Sequence, residues 1–226
     1  KMSRLMVHPC PSTMSATTAS PQTAVLLLFL NMGRNFAIII GTWTPKMLVI
    51  FADVMLQEGN HSLRALEPAD AEPMLHWENR SEEWWLGATM GPWSRAAMQA
   101  MARGEQDVWA TGQIRLILTH NAQPLGAFDL YDVNARNRTA GVGVLIDAEH
   151  RSAGHASAGL QLLHRYAHDH LGLLVLRADV PADNPPSMRL FAAAGYQQTG
   201  HLPGWIRQGN ARHDIAIFVH RNPAVA

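Results

Sequence analysis

The chain lacks acid where it begins. Its first 52 residues hold no Asp or Glu, and Lys1, Arg4, Arg34 and Lys46 are the fixed charges there. Cysteine is nearly absent as well. The single Cys10 excludes an internal disulfide and fits a reducing compartment, so a cytoplasmic protein is expected. Net charge is missing: 18 Lys and Arg balance 18 Asp and Glu, which removes the electrostatic case for nucleic acid. Long apolar runs are missing too. Those at 24–30, 37–40 and 47–52 are short, and Asn31, Gly33, Arg34 and Asn35 break the first from the second. None reaches the roughly 18 residues of a membrane helix, so no stable span is expected. No Gly-Lys-Ser/Thr completes a P-loop, and no G-x-G-x-x-G marks a dinucleotide site. Tyrosine is scarce, with three copies, whereas the 12 histidines should raise the net charge below about pH 6.5.

At 226 residues the chain accommodates one ordinary domain and an extension. Residues 1–58 read as the extension and 59–226 as the domain. Three roles compete for the extension. Its acid-poor, Ser- and Arg-containing composition suits a targeting segment. Its apolar runs over 24–52 suit packing on the domain, a partner or a membrane surface. It also reads as an upstream, over-extended start, because Lys1 is not a natural first residue and Met47 or Met55 could begin the working protein.

From His61 onward the pattern is α/β. A strand at 61–66 precedes a helix that Pro68 and Asp70 start and that ends by Asn79. Ser81 to about Ala102 reads as one or two helices, broken at Gly91-Pro92. Strands follow at 113–119, 125–132 and 139–146. Ala156, Leu160, Leu163 and Ala167 recur at helical spacing, so 154–171 is a helix with one buried face. Residues 173–179 form a buried strand, parallel to 139–146 because a helix joins the two. A short helix at 185–194 stops at Gly195, and 196–201 with 214–220 make an antiparallel end. Along 125–132, alternation puts Ala127, Asp129 and Tyr131 on one face, with Phe128 and Leu130 on the other.

The most informative stretch is His150-Arg-Ser-Ala-Gly-His-Ala156, between the strand Val142–Ile146 and the long helix. Strand, Gly-containing turn and helix start aim several unpartnered N–H groups at one point. The helix dipole favours an anion there, so a phosphate or pyrophosphate is the expected ligand. Gly154 and Ala156 keep side chains clear, and Arg151 adds charge.

R-x-x-G-x-A after a strand resembles the acyl-coenzyme A (CoA) loop of the GNAT N-acetyltransferases. Downstream, Asn184-Pro-Pro-Ser187-Met-Arg-Leu190-Phe191-Ala-Ala-Ala-Gly195-Tyr196 resembles that family's N-x-x-S-x-x-L-[YF]-x-x-x-G-[FY] segment. Three further stretches are similar to its branch of spermidine and ribosomal-protein N-terminal acetyltransferases: Ser62–Asp70, Gly126–Asp132 and Asn137–Gly143. The resemblance implies a mixed, twisted sheet splayed between 139–146 and 173–179, flanked by helices, with acetyl-CoA in the splay. It also implies direct transfer of the acetyl group to a primary amine, in a small molecule or peptide, within a ternary complex. A homodimer is an expected form.

The implied cofactor contacts are Arg151, Ser152, Ala153, Gly154, His155 and Ala156 of the loop, the backbone of Val144 and Ile146, and Asn184, Ser187 and Phe191. Two positions depart from the family's pattern. Gly141 stands where many relatives have a Glu base, and Phe191 where many have a Tyr acid. Asp129 is therefore the expected base or amine binder, with Tyr131 beside it and Ser187 as a donor to the sulfur. Structural hydrogen bonds are the alternative for Asp129 and Ser187. Glu78 and Trp85 are expected on the amine side, where Glu82 and Glu83 also lie. A non-catalytic acyl-CoA-binding or sensing module is the rival reading. His164, His168 and His170 invite a metal, but no further ligand completes a set and the 164/168 face is predicted solvated, so no metal is expected. Without the usual Glu the site suits an amine that is easily deprotonated: an α-amine near pKa 8 needs about 3 kcal/mol less work than a Lys-like amine near 10.4.

Overall fold

Alternating side chains along Ile114–His120 (β5), Gln123–Asn134 (β6) and Thr139–Ile146 (β7) give the sheet two apolar faces. On one face Phe128 and Leu130 pack with Leu160, Leu163 and Leu176, and on the other Ile117 and Ala127 pack with Met74, Trp77 and Met98. Each fully buried Leu or Phe contributes about 1.5–3 kcal/mol. Two covered faces therefore give the α/β layering that the pattern predicts.

The structure, a computed structural model, describes residues 30–32, 35–37, 56–87 and 91–225. By contacts the chain divides into two units, Lys1–Phe51 and Ala52–Ala226. In the first, Leu30–Met32 (β1) and Asn35–Ala37 (β2) pair as an antiparallel ribbon. The roles weighed for the N-terminal extension otherwise fall outside the described residues, while the break expected at Gly91-Pro92 separates Ser81–Leu86 from Arg95–Ala102.

The second unit holds an eight-stranded sheet. Its remaining strands are Gln57–Glu58 (β3), His61–Ala65 (β4), Val175–Pro181 (β8), Gln197–Gln208 (β9) and Ala211–Arg221 (β10). The order is β3-β4-β5-β6-β7-β8-β10-β9. Every neighbouring pair is antiparallel except β7–β8. Ala71–Glu78 (α1), Arg95–Ala102 (α2) and Val108–Thr111 (α3) precede β5, His155–His164 (α4) joins β7 to β8, and Pro185–Ala193 (α5) follows β8. The resemblance's mixed sheet with one parallel pair is thus the observed one. Among the described residues no helix is long and apolar enough to cross a membrane.

Three local expectations are corrected. The long helix does not stay α to residue 171: Arg165–His170 widens to a π turn, in which the Leu171 N–H reaches Tyr166 O. The 164/168 face is not solvated. His168 is 7 % exposed, and its Nδ1 donates to Leu173 O at 2.8 Å. Its Nε2 is hydrogen-bonded to His220 Nδ1 at 3.0 Å, and His164 Nε2 to the Tyr196 hydroxyl at 3.1 Å. The end of β10 covers this face, which helical periodicity cannot register. Finally, the closing hairpin is longer than its Gly and Pro residues suggest. Asp214 sits in a bulge of β10, where its carboxylate accepts from Gly204 N–H at 2.7 Å and holds the irregular stretch in the ladder.

Candidate active site

The parallel pairing of β7 with β8 is short. It runs Thr139↔Val175, Ala140↔Leu176 and Gly141↔Arg177, and the register goes no further. Past Gly141, β7 stays paired with β6 and β8 stays paired with β10. The sheet therefore opens between them, as the resemblance implies. Which backbone groups face the gap follows from alternation. Asp147 N–H donates to Leu125 O of the β6 side at 2.9 Å, so Leu145 and Asp147 point toward β6. Val144 and Ile146 then turn their N–H and C=O groups to the opening. The Ile146 carbonyl is already taken, since it accepts from Arg151 Nε at 2.9 Å. Val144 remains a free edge that an extended amide chain can join.

Beyond β7, Ser152 (φ 64°) and Gly154 (φ 82°) take left-handed conformations that reverse the chain into α4. Gly154 is the N-cap, and a Cβ placed there would meet no protein atom within 4 Å. Open space stands over the bare amides of the helix mouth. This cradle fits a diphosphate, the anion expected from the sequence. His155 turns its ring away from it, with Nδ1 2.8 Å from His61 Nε2 and the His120 ring 5.2 Å off. Arg151 is held: besides Ile146 O, it donates from Nη1 and Nη2 to Glu83 at 2.9 and 2.8 Å.

At the other side of the opening, Asn184 caps α5, its Oδ1 accepting from Ser187 N–H at 3.2 Å. What Asn184 retains for a ligand is its amide NH₂, two donors suited to a carbonyl. Phe191 is 5 % exposed and packs edge-on to Tyr196 at 5.0 Å, so it is a core residue that offers a ligand little surface.

Tyr131 lies at the vertex. It pairs with Gly141, and Gly141 is the last β7 residue paired with β8, opposite Arg177. The phenol ring fills the space over Gly141 that a Glu there would need. Burial and, after it, the Asp179 carboxylate push the Tyr131 hydroxyl above its ordinary range. It stays protonated at neutral pH and is a donor, not a base.

Asp129, two residues back on the same face, carries a partner the sequence did not announce. Arg115 of β5 donates from Nε and Nη2 to both its oxygens, at 2.7 and 2.8 Å, and from Nη1 to Glu78 at 2.5 Å. One guanidinium thus joins two of the expected substrate residues into a single cluster. The surrounding carboxylates raise the pKa of Arg115 against its burial, so it stays charged. Cross-strand register places it there, Arg115↔Asp129, and register is not visible in a list of residue types. Trp85, in the 3₁₀ segment Ser81–Leu86, is drawn off instead onto His213, with ring centroids 4.7 Å apart. Ser187 is the one proposed catalytic side chain away from this vertex, at the α5 start.

An open groove of about 530 Å³, lined by Arg64, Asp70, His76, Trp77 and Asp147 among others, runs beside α1. Its lining reaches Glu149 and His150 at the start of the turn, and the chemistry above does not use it. Among the described residues no group of three His, Cys, Asp or Glu side chains is set to hold a metal.

Comparison with known proteins agrees with this fold. Residues 62–197 match the family model of the acetyltransferase (GNAT) domain. YwnH of Bacillus subtilis (strain 168), a candidate phosphinothricin acetyltransferase, is 36% identical over 88 residues, which cover 39% of this chain. The match spans about half that relative's length, 53%. Spermidine N-acetyltransferase of Vibrio cholerae, solved with CoA and spermine, superimposes with TM-score 0.66 at 19% identity, covering 73% of this chain and 96% of that one. The ribosomal-protein-S5-alanine acetyltransferase of Vibrio fischeri does so with TM-score 0.66 at 12% identity, covering 74% and 96%. The two structures show a shared fold, and the family match takes in more than half of the chain, so this protein belongs to the GNAT acetyltransferase family.

Proposed function

We propose that this acyltransferase moves an acetyl group from acetyl-CoA to a primary amine, by direct attack in a ternary complex. One observation carries the reading: the sheet opens at Gly141, with the Val144 backbone facing the gap and the bare turn at Gly154 above it. In this reading the turn holds the diphosphate, Val144 and the Asn184 amide hold the pantetheine arm, and the carrier supplies the thioester. The amine nitrogen forms the C–N bond and the C–S bond breaks. Tyr131 donates a hydrogen bond to the sulfur as charge gathers there. A thiolate of pKa about 8.5 then departs without full protonation. The surplus amine proton leaves through water or through an Asp129 lone pair that Arg115 does not occupy.

The two carboxylates gathered in the Glu78–Arg115–Asp129 cluster support a cationic acceptor. Tyr131 in place of a Glu base supports an α-amine over a polyamine at neutral pH. Self-association as a homodimer belongs to the same reading, supported by Trp205, which stands 65% exposed on β9. So does a reducing, cytoplasmic setting, supported by the lone Cys10.

The test is calorimetric titration with acetyl-CoA, followed by a thiol-release assay on α-amino acids (phosphinothricin among them), an alanyl peptide and spermidine. We expect binding and turnover, faster with the α-amines at pH 7. No binding at millimolar acetyl-CoA ends the reading. The buried Phe191 and the absent Glu favour one rival, a non-catalytic acyl-CoA sensor, and binding without thiol release on every amine would select it.

A further inference from the structure

The segment Ser81–Leu86 runs between the ends of the two strands that part. At the β7 end Glu83 holds Arg151. At the β8 end Trp85 lies on His213, whose Nδ1 is 2.5 Å from Asp183 Oδ2. The segment is a strap across the mouth of the opening, tied on both sides.

Its tie at Glu83 has a second seat. Arg80 Nε lies 3.7 Å from Glu83 Oε1 and 3.4 Å from Glu82 Oε1, yet it is buried and makes no hydrogen bond. The Asp147 Oδ1 atom, 4.0 Å from Arg80 Nη1, is likewise buried and unbonded. Two guanidiniums therefore flank one carboxylate, and one of them has an unfilled donor. Arg151 is the more attractive at present: its hydrogen bonds hold the Glu83 carboxyl below its usual range, with Arg80 adding to the effect from farther off.

We propose that Glu83 is an exchangeable counter-ion. The carrier's diphosphate takes Arg151 from it, Glu83 passes to Arg80, and the strap loosens on the amine side, so that the carrier binds before the amine. The inference rests on the functional reading above. Its physical basis is a difference in strength. The exposed carboxylate–guanidinium pair is weak, whereas a diphosphate gains the loop amides as well as the guanidinium fork. Arg80 makes the exchange possible by receiving a carboxylate that would otherwise be stranded beside Asp147 and Glu82.

Hydrogen exchange on the wild-type protein, with and without CoA, reads the strap directly. Amides of 151–156 should slow while those of 81–86 speed up. If both slow, or if 81–86 is unchanged while CoA binds, the exchange is overturned and the pair is a brace. CoA titration of variants gives an independent reading. Glu83→Gln removes the competitor and should bind CoA roughly two- to five-fold more tightly. Arg80→Gln removes the second seat and should bind it more weakly by a similar factor, but only while Glu83 is present. Weaker binding by Glu83→Gln, or an Arg80→Gln effect that persists in the double variant, overturns the proposal. If the wild-type protein binds no CoA at all, the functional reading itself has failed, which is a separate result.

Discussion

Tyr131 and Gly141 share one volume across the β6–β7 ladder: a Cβ at 141 would stand 2.3 Å from Tyr131 Cε2. Gly141→Ala should therefore destabilise the protein by about 1–3 kcal/mol, as overpacking does. In a Tyr131→Ala background most of that penalty should vanish. Urea denaturation of the four proteins measures the coupling, and an equal penalty in both backgrounds would separate the two residues.

Tyr131→Phe keeps the ring and removes the donor. Stability should change little. The turnover number should fall roughly 10- to 100-fold, with the acetyl-CoA KM within about twofold of wild type. Because burial and Asp179 raise the Tyr131 hydroxyl, it remains a donor through alkaline pH. The wild-type rate should show no decline attributable to this group below about pH 10. A variant with unaltered turnover would remove Tyr131 from the chemistry.

Asp129→Asn should act on the amine and not on the carrier. It removes one negative charge from the cluster while leaving an acceptor for Arg115. The amine KM should rise roughly three- to tenfold for cationic acceptors, more at low salt, with acetyl-CoA affinity unchanged. Loss of turnover with no change in amine KM would make Asp129 the base instead of the binder.

The buried histidines link stability to acid. Desolvation, then His220 and His168, lower the His164 pKa from 6.5 to about 3. A depressed folded-state value means that the folded protein refuses a proton the unfolded chain accepts. The neutral ring's contribution is intact above about pH 6.5 and is lost as pH falls from there toward about 3, approaching roughly 5 kcal/mol. His220, His61 and His155 are shifted in the same direction and steepen the loss. Denaturation midpoints measured from pH 8 to pH 4 should fall accordingly, and His164→Gln should flatten the curve. A midpoint that does not move over this range would contradict the buried neutral network.

Periodicity, turn residues and helix signals are local, and by themselves they determined most of the elements. These include the strand at 139–146, the turn at 150–156, the helix over its first ten residues and the parallel return strand. A right-handed crossover is the only economical way to join two strands through a helix, so the parallel pair followed from order alone. The loop motif, the Asn184–Tyr196 segment and three further stretches then carried the family resemblance. Only the tertiary structure decided what touches what at the vertex. The Arg115↔Asp129 register made a paired cluster of a carboxylate that looked solitary, because pairing across strands depends on a shift of one residue that no single strand reveals. The Tyr131 ring over Gly141 explained a missing Glu. The end of β10 buried a histidine face that helical spacing left exposed, and Glu83 found Arg151 68 positions away. Such contacts come from the closing of the sheet and the seating of helices on it, where one residue's surroundings are supplied by segments distant in the chain.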